Sequence, residues 1–176
     1  MKLTFVHPRA VVSISYALYD HEDGSLLDAA TPDAPLRYVH GAGALLPAVE
    51  EALTDKKPRD MISLILPPER AYGAHEPRRL QEVPRDLFPA DLDLKPGMPF
   101  MLELAAGLHP MAFRVKKVNP DGTVVLDGNH PLAGKTLRFE ITVEEVRWAS
   151  PEEIKAGEPS PDELPDQEVF ARVKRR

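Results

Sequence analysis

The chain contains no cysteine. Disulfides, thiolate nucleophiles and cysteine-ligated zinc are therefore excluded. Long hydrophobic runs are missing too: nothing approaches the run of about 18 apolar residues that a membrane span needs. The opening "MKLTFVHPRAVVSIS", broken by Arg9, lacks the apolar core and small-residue cleavage site of a secretory signal. Positive charge is in short supply. Twenty-two Lys and Arg against 28 Asp and Glu leave a net charge of −6, which argues against nucleic acid, whose phosphates need a basic face. The expectation is a soluble, cytoplasmic, monomeric protein with neither a membrane nor a nucleic-acid partner.

Glycine is scarce beside proline, ten against 19, so many loops carry a fixed φ. The histidines (His7, His21, His40, His75, His109, His130) are scattered without metal-ligand spacing, and neither metal nor cofactor is expected. "HGAGALLP" begins like a nucleotide-binding fingerprint, but Leu46 stands at the third glycine position and no βαβ unit surrounds it.

What is present is 176 residues, 43% of them hydrophobic, enough for one domain or two small ones. Val12, Ile14, Tyr16 and Leu18 alternate with polar positions and predict a half-buried strand over Ala10–Tyr19. "DHEDG" turns it, "SLLDA" returns, and "APLRYVHG" adds a short strand. Leu45, Leu46, Val49 and Leu53 have helical spacing, with Pro47 tolerated in the first turn. Met61–Leu66 is a strand stopped by two prolines. Beyond Gly73, Pro77, Pro84, Pro89, Pro96 and Pro99 leave no amphipathic period, which predicts a loop. "FMLELAA", "MAFRVKKV" and, after an Asp-Gly turn, "TVVLD" read as strands. Thr136–Val143 puts Leu137, Phe139, Ile141 and Val143 on one face. Val146 and Trp148 fall on the other parity, as a bulge near Glu144–Glu145 would produce. "SPEEIKAG" holds a capping box, a proline at the first helical position and a terminal glycine. The rest of the 151–176 tail, with three prolines and mixed charge, lacks a core of its own.

A strand as apolar as Thr136–Val143 must pair, and its candidate partners precede Gly73. The sheet is thus expected to start in the first 73 residues, to be interrupted by residues 74–128, and to resume. "DGNHPLAGK" becomes the return joint, with Gly128 and Gly134 free to take unusual backbone angles and Pro131 stiffening the span.

Four segments, "DGNHPLAGKTLRFEITVEEV", "AYG" at Ala71–Gly73, "LRYVHGAGALLPAVEEAL" and "VPRDLF", give the chain from Val11 to about Ser150 a resemblance. It resembles the SlyD-type branch of the FKBP-type peptidyl-prolyl isomerases. The resemblance implies an α+β fold in which a twisted antiparallel sheet wraps one short helix. It also implies an insert-in-flap domain after "AYG": an isomerase domain at 1–73 and 129–150, and a chaperone insert at 74–128. No nucleophile, metal or cofactor is called for. Rotation about a peptide bond meets a barrier of about 18–20 kcal/mol, and X-Pro bonds isomerise unaided in about 10–100 s. The planar amide is charge-separated and the twisted one less so, and a dry apolar cup favours the twisted form.

By resemblance, the cup carries over onto Tyr16, Leu27, Asp28, Leu36, Tyr38, Leu45, Leu46, Val49, Tyr72 and Phe139. Val49 stands where single-domain relatives often carry tryptophan, and Leu27 and Leu36 where they carry phenylalanine, so this cup is expected to be wider and less aromatic. Tyr72 is the expected donor to a substrate carbonyl. Asp28 is expected to bond Tyr16 or to polarise the amide. His130 either touches substrate at the rim or fixes the joint. Leu87, Phe88, Met98, Phe100, Met101, Leu102, Met111 and Phe113 are divided between the insert's core and a chain-binding surface, with Met98, Met101 and Met111 expected to be exposed. The implied partners are unfolded or partly folded polypeptides and proline-containing peptides. A second reading stays open: a chaperone or peptide-binding module whose cup has weak or no activity.

Overall fold

The computed structural model describes residues 4–102 and 111–160. The chain divides into two compact units, Met1–Gly73 with Lys135–Arg176, and Ala74–Gly134.

The first unit is built on β1 (Ala10–Asp20), whose inward residues Val12, Ile14, Tyr16 and Leu18 are buried. One edge of β1 is shared. Its first half pairs with β3 (Leu36–Val39) and its second with β2 (Leu26–Ala30), both antiparallel. The other edge pairs along its whole length with β9 (Leu137–Trp148), which pairs in turn with β4 (Met61–Leu66). The interrupted sheet predicted from the sequence is thus present. The register of β1 against β9 slips between Ser13 and Ile14, with Ser13 opposite Glu145 and Ile14 opposite Val143. Glu144 is the extra residue, and its carboxylate accepts from the Ser15 hydroxyl at 2.5 Å. The bulge lets Val146 return to the core at 1% exposure. Trp148 shares that parity yet lies past the core, and its ring meets His7 edge-on at 4.5 Å.

Helix α1 (Pro47–Leu53) lies against this sheet and buries Val49 and Leu53. It begins later than its periodicity suggests. A residue before proline is pushed out of the helical region, and Leu46 is extended at φ −56°, ψ 136°. Leu45 and Leu46 therefore approach the helix without joining it. The sequence reading of α2 (Pro151–Ala156) holds throughout: Ser150 and Glu153 form the capping box, Pro151 is at the first position and Gly157 ends the helix at φ 73°. The buried Glu153 carboxylate also takes both terminal nitrogens of Arg147 and the Ser160 N–H.

The second unit is a four-stranded antiparallel sheet in the order β5 (Leu80–Pro84), β8 (Thr123–Asp127), β7 (Met111–Val118), β6 (Pro99–Leu102). Strand β5 falls where the prolines predict a loop. It lies on the sheet edge, ends on Pro84 and buries only Val83, so proline removes no central ladder bond and no alternation shows. Val83, Phe88, Phe113, Val115, Val124 and Leu126 form its core. The remainder of the "FMLELAA" strand, residues 103–106, lies outside the described residues, as does the tail from 161.

The return joint is held by polar contacts. Asn129 accepts from the Glu76 N–H at 2.9 Å and donates to the Glu76 carbonyl at 3.0 Å, and His75 and Asp127 approach to 2.9 Å. Gly134 has the expected left-handed angle, φ 78°. Gly128 does not. It is glycine because a Cβ there would meet the Phe113 ring at 3.0 Å and the Arg79 carbonyl at 3.3 Å.

Candidate functional site

Alternation on two strands and the loop before α1 together make a cup on the inner face of the first unit. Ile14 and Tyr16 come from β1, Leu36 from β3, Phe139 and Ile141 from β9, and Leu45, Leu46 and Val49 from the approach and first turn of α1. Its empty space is about 270 Å³, including the part open to solvent, so the cup is shallow. Apart from the Tyr16 hydroxyl, every side chain lining it is a hydrocarbon.

Polar groups sit beside this wall. The Tyr16 hydroxyl donates to Asp28 Oδ2 at 2.6 Å, and Asp28 Oδ1 accepts from the Ala29 N–H at 2.9 Å. Cross-strand register is the cause: Asp28 is opposite Leu18 and Ala30 opposite Tyr16, so the carboxylate and the phenol share the inward face. Burial, together with the hydrogen bond and negative charge of Asp28, pushes the Tyr16 phenol far above its ordinary range. Tyr72 responds to the same neighbours. Burial and then Asp28 push it up to about 12, and its charge would in turn oppose that of Tyr16. Both phenols are therefore protonated donors across the physiological range.

Six of the ten cup residues carried over from the sequence line this cavity: Tyr16, Leu36, Leu45, Leu46, Val49 and Phe139. Asp28 joins through Tyr16, and Tyr72 through the electrostatics of both. The other two are not among the lining residues. Tyr38 is 2% exposed and turns its hydroxyl to His40. Leu27 is the unpaired residue where β2 slips against β1, between Asp28 opposite Leu18 and Leu26 opposite Tyr19. Ile14 and Ile141 line the cup and were not singled out beforehand. The signal was present: each is two residues from a chosen aromatic on the same strand face.

In the second unit the apolar residues divide. Phe88 and Phe113 are core, and Met98, Phe100 and Leu102 pack against it. Met101 and Met111 are exposed, at 63% and 53%, as expected, and so is Leu87 at 54%. Met98 is the exception to the expected exposure. Its carbonyl accepts from the Val115 N–H at 2.9 Å, which draws it onto the core. His130 is half-buried and its Nδ1 accepts from the Leu132 N–H at 3.1 Å. Burial and then Arg114 lower its pKa, so the ring is neutral and fixes the turn. Among the described residues no group of acidic or histidine side chains could hold a metal, and no helix is long and apolar enough to cross a membrane.

A shallow apolar cup with a phenol–carboxylate pair at its wall, on an antiparallel sheet wrapped round one short helix, has the chemistry to take a small hydrophobic group. The family described as FKBP-type peptidyl-prolyl cis-trans isomerase matches residues 3–144, and the chain belongs to that family. Within it, the chain is SlyD-like. It is 38% identical over 152 residues to the FKBP-type peptidyl-prolyl cis-trans isomerase SlyD of Vibrio cholerae, covering 86% of this chain and 74% of that one. It is 36% identical to the protein of the same name from Treponema pallidum, over 83% and 81% of the two chains. With that of Escherichia coli it shares 37%, over 84% and 73%.

Proposed function

We propose that the cup is where this peptidyl-prolyl isomerase turns X-Pro bonds, and that the unit Ala74–Gly134 captures unfolded chain for it. The observation that carries the reading is the shared cavity of Tyr16, Val49 and Phe139 with the Tyr16–Asp28 bond at its wall. A proline ring fills the hydrocarbon pocket and water leaves the amide. The planar amide loses the solvation that favoured its charge separation, while the twisted form loses less, so the barrier falls. Each 1.36 kcal/mol removed is about tenfold in rate. Tyr72, held protonated, donates to a substrate carbonyl and orients the chain. Asp28 holds the Tyr16 ring against the wall. No step moves a proton between protein and substrate.

The exposed Leu87, Met101 and Met111 support the capture role, since flexible thioethers adapt to many apolar sequences. Capture raises the local concentration of prolyl bonds at a linked site. The substrates are unfolded or partly folded polypeptides and proline-containing peptides, and the protein acts as a cytoplasmic monomer. Family membership and the intact phenol–carboxylate pair weigh against an inactive binding module. The test is the slow, proline-limited phase of a refolding protein. Catalytic amounts of this chain accelerate it, and an unchanged slow phase refutes the assignment.

A further inference from the structure

Three of the eight cup-lining residues, Leu45, Leu46 and Val49, ride on the loop after β3 and the first turn of α1. That helix has seven residues and no side-chain N-cap, too short to hold itself. Something else must fix it. Two contacts run from the residues after β3 to the middle and the C-terminal end of α1: the Gly41 N–H donates to Glu50 Oε1 at 3.1 Å, and His40 Nε2 lies 3.1 Å from Thr54 Oγ1. The Thr54 hydroxyl spends its one proton on the Glu50 carbonyl at 3.1 Å. His40 Nε2 must then be the donor to Thr54, which leaves Nδ1 bare to accept from the Tyr38 hydroxyl at 3.1 Å. The chain runs Tyr38 O–H to His40, His40 N–H to Thr54, Thr54 O–H to Glu50, with one proton per bond. It closes the loop bearing Leu45 and Leu46 at both ends.

We infer that His40, in its neutral Nε2–H form, is a positioning residue that holds the Leu45–Leu46–Val49 wall of the cup in its binding-competent place. The inference rests on the cup being the prolyl site. His40 is 5% exposed. Burial lowers its pKa from 6.5, Glu50 and Asp55 pull it up, and His7 adds to the lowering. Tyr38 faces it from its own strand and Thr54 from the end of the helix. The neutral ring therefore persists as pH falls through 6.5 and is lost below that. Protonated, Nδ1 can no longer accept from the Tyr38 hydroxyl, and the charge, disfavoured in this buried place, shifts the loop toward conformations that expose the ring and open the chain at Thr54. A wall that is in place only part of the time reduces apparent affinity by that fraction and leaves the bound complex unchanged. The signature is a raised KM with kcat held.

The experiment is protease-free exchange spectroscopy of a short proline peptide over the pH range below and above 6.5. It compares the full chain, Thr54→Val and His40→Gln, each checked for fold by circular dichroism. Thr54→Val removes the acceptor at the chain's exposed end. Its KM is expected to rise about fivefold, the scale of one lost neutral hydrogen bond, with kcat unchanged. His40→Gln keeps a neutral donor toward Thr54. It is expected to bind near the parent level above pH 6.5 and to lack the parent's rise in KM below it. A parent KM in Thr54→Val, or an acid rise that survives in His40→Gln, overturns the inference and leaves the cup reading standing. No exchange by the parent chain overturns the cup reading itself.

Discussion

Two phenols and one carboxylate account for nearly all the polarity of the cup, and their coupling sets its behaviour. Truncating Asp28 to Ala leaves the Tyr16 hydroxyl, in a residue 8% exposed, without its acceptor. Tyr16→Phe removes the phenol's donation to Asp28 Oδ2 and leaves the Ala29 N–H on Oδ1. Each is expected to cost about 1–3 kcal/mol of stability and to lower turnover. In a double-mutant cycle the pair should couple by at least about 0.5 kcal/mol, and strict additivity in urea unfolding would refute the pairing. A second prediction concerns base. Tyr72 is pushed up to about 12 and Tyr16 higher still, so both donors stay protonated well beyond the 10.0 of an ordinary tyrosine. Peptide isomerisation should therefore hold through pH 10, whereas a fall centred there would mean that a normal phenol carries the donor role. The placement of Tyr16 and Phe139 was legible because resemblance and strand parity agree there, while Asp28 was legible from the resemblance alone. Placement was not legible at Leu27, where a register slip removes the parity that would orient the side chain. Nor was it legible at Tyr38, whose partner His40 is two residues away in sequence but whose consequence lies across the fold at Thr54.

Elements here are set by local chemistry that the sequence carries openly, except where an edge or a proline hides it. The bulge in β9 was readable from a single parity break, and α2 from its capping box, since both are written within a few residues. The first turn of α1 was readable from Pro47, which stands at its first position, although helical spacing at Leu45 and Leu46 mimics a further turn that Pro47 forbids to the residue before it. Strand β5 was hidden because an edge strand with one buried residue has no period. Helix α2 offers a pH test. Hydrogen bonds from Arg147 hold Glu153 at about 2, below its ordinary 4.5, with the Ser150 and Ser160 N–H groups assisting. A depressed carboxylate gives stability that is complete above 4.5 and is lost as pH falls toward 2. That contribution is at most about 3 kcal/mol, from 1.36 kcal/mol per pKa unit. Glu153→Gln should therefore destabilise the first unit at neutral pH and much less at pH 3, and an equal loss at both would remove the ion pair from the account. In the other unit, Gly134→Ala meets both a left-handed φ and the His75 Cβ at 3.1 Å. A loss of about 1–2 kcal/mol is expected for the backbone alone, measurable as a lower melting point of that unit.

For the whole molecule, the division Met1–Gly73 with Lys135–Arg176 against Ala74–Gly134 invites a separation of roles. Replacing Ala74–Gly134 by a short loop is expected to leave activity on short peptides and to remove most of it on unfolded proteins. Equal loss on both would contradict capture by the inserted unit. The hydrocarbon wall of the cup supports the proposed catalysis by solvent exclusion instead of by a reacting group. The direct test of that claim is the rate of prolyl exchange in a short peptide, measured in H₂O and D₂O with and without the protein. The account predicts clear acceleration with a solvent isotope ratio of about 1, because no proton is in flight. No acceleration, or a ratio of about 2 or more of the kind general acid–base transfer produces, would contradict it.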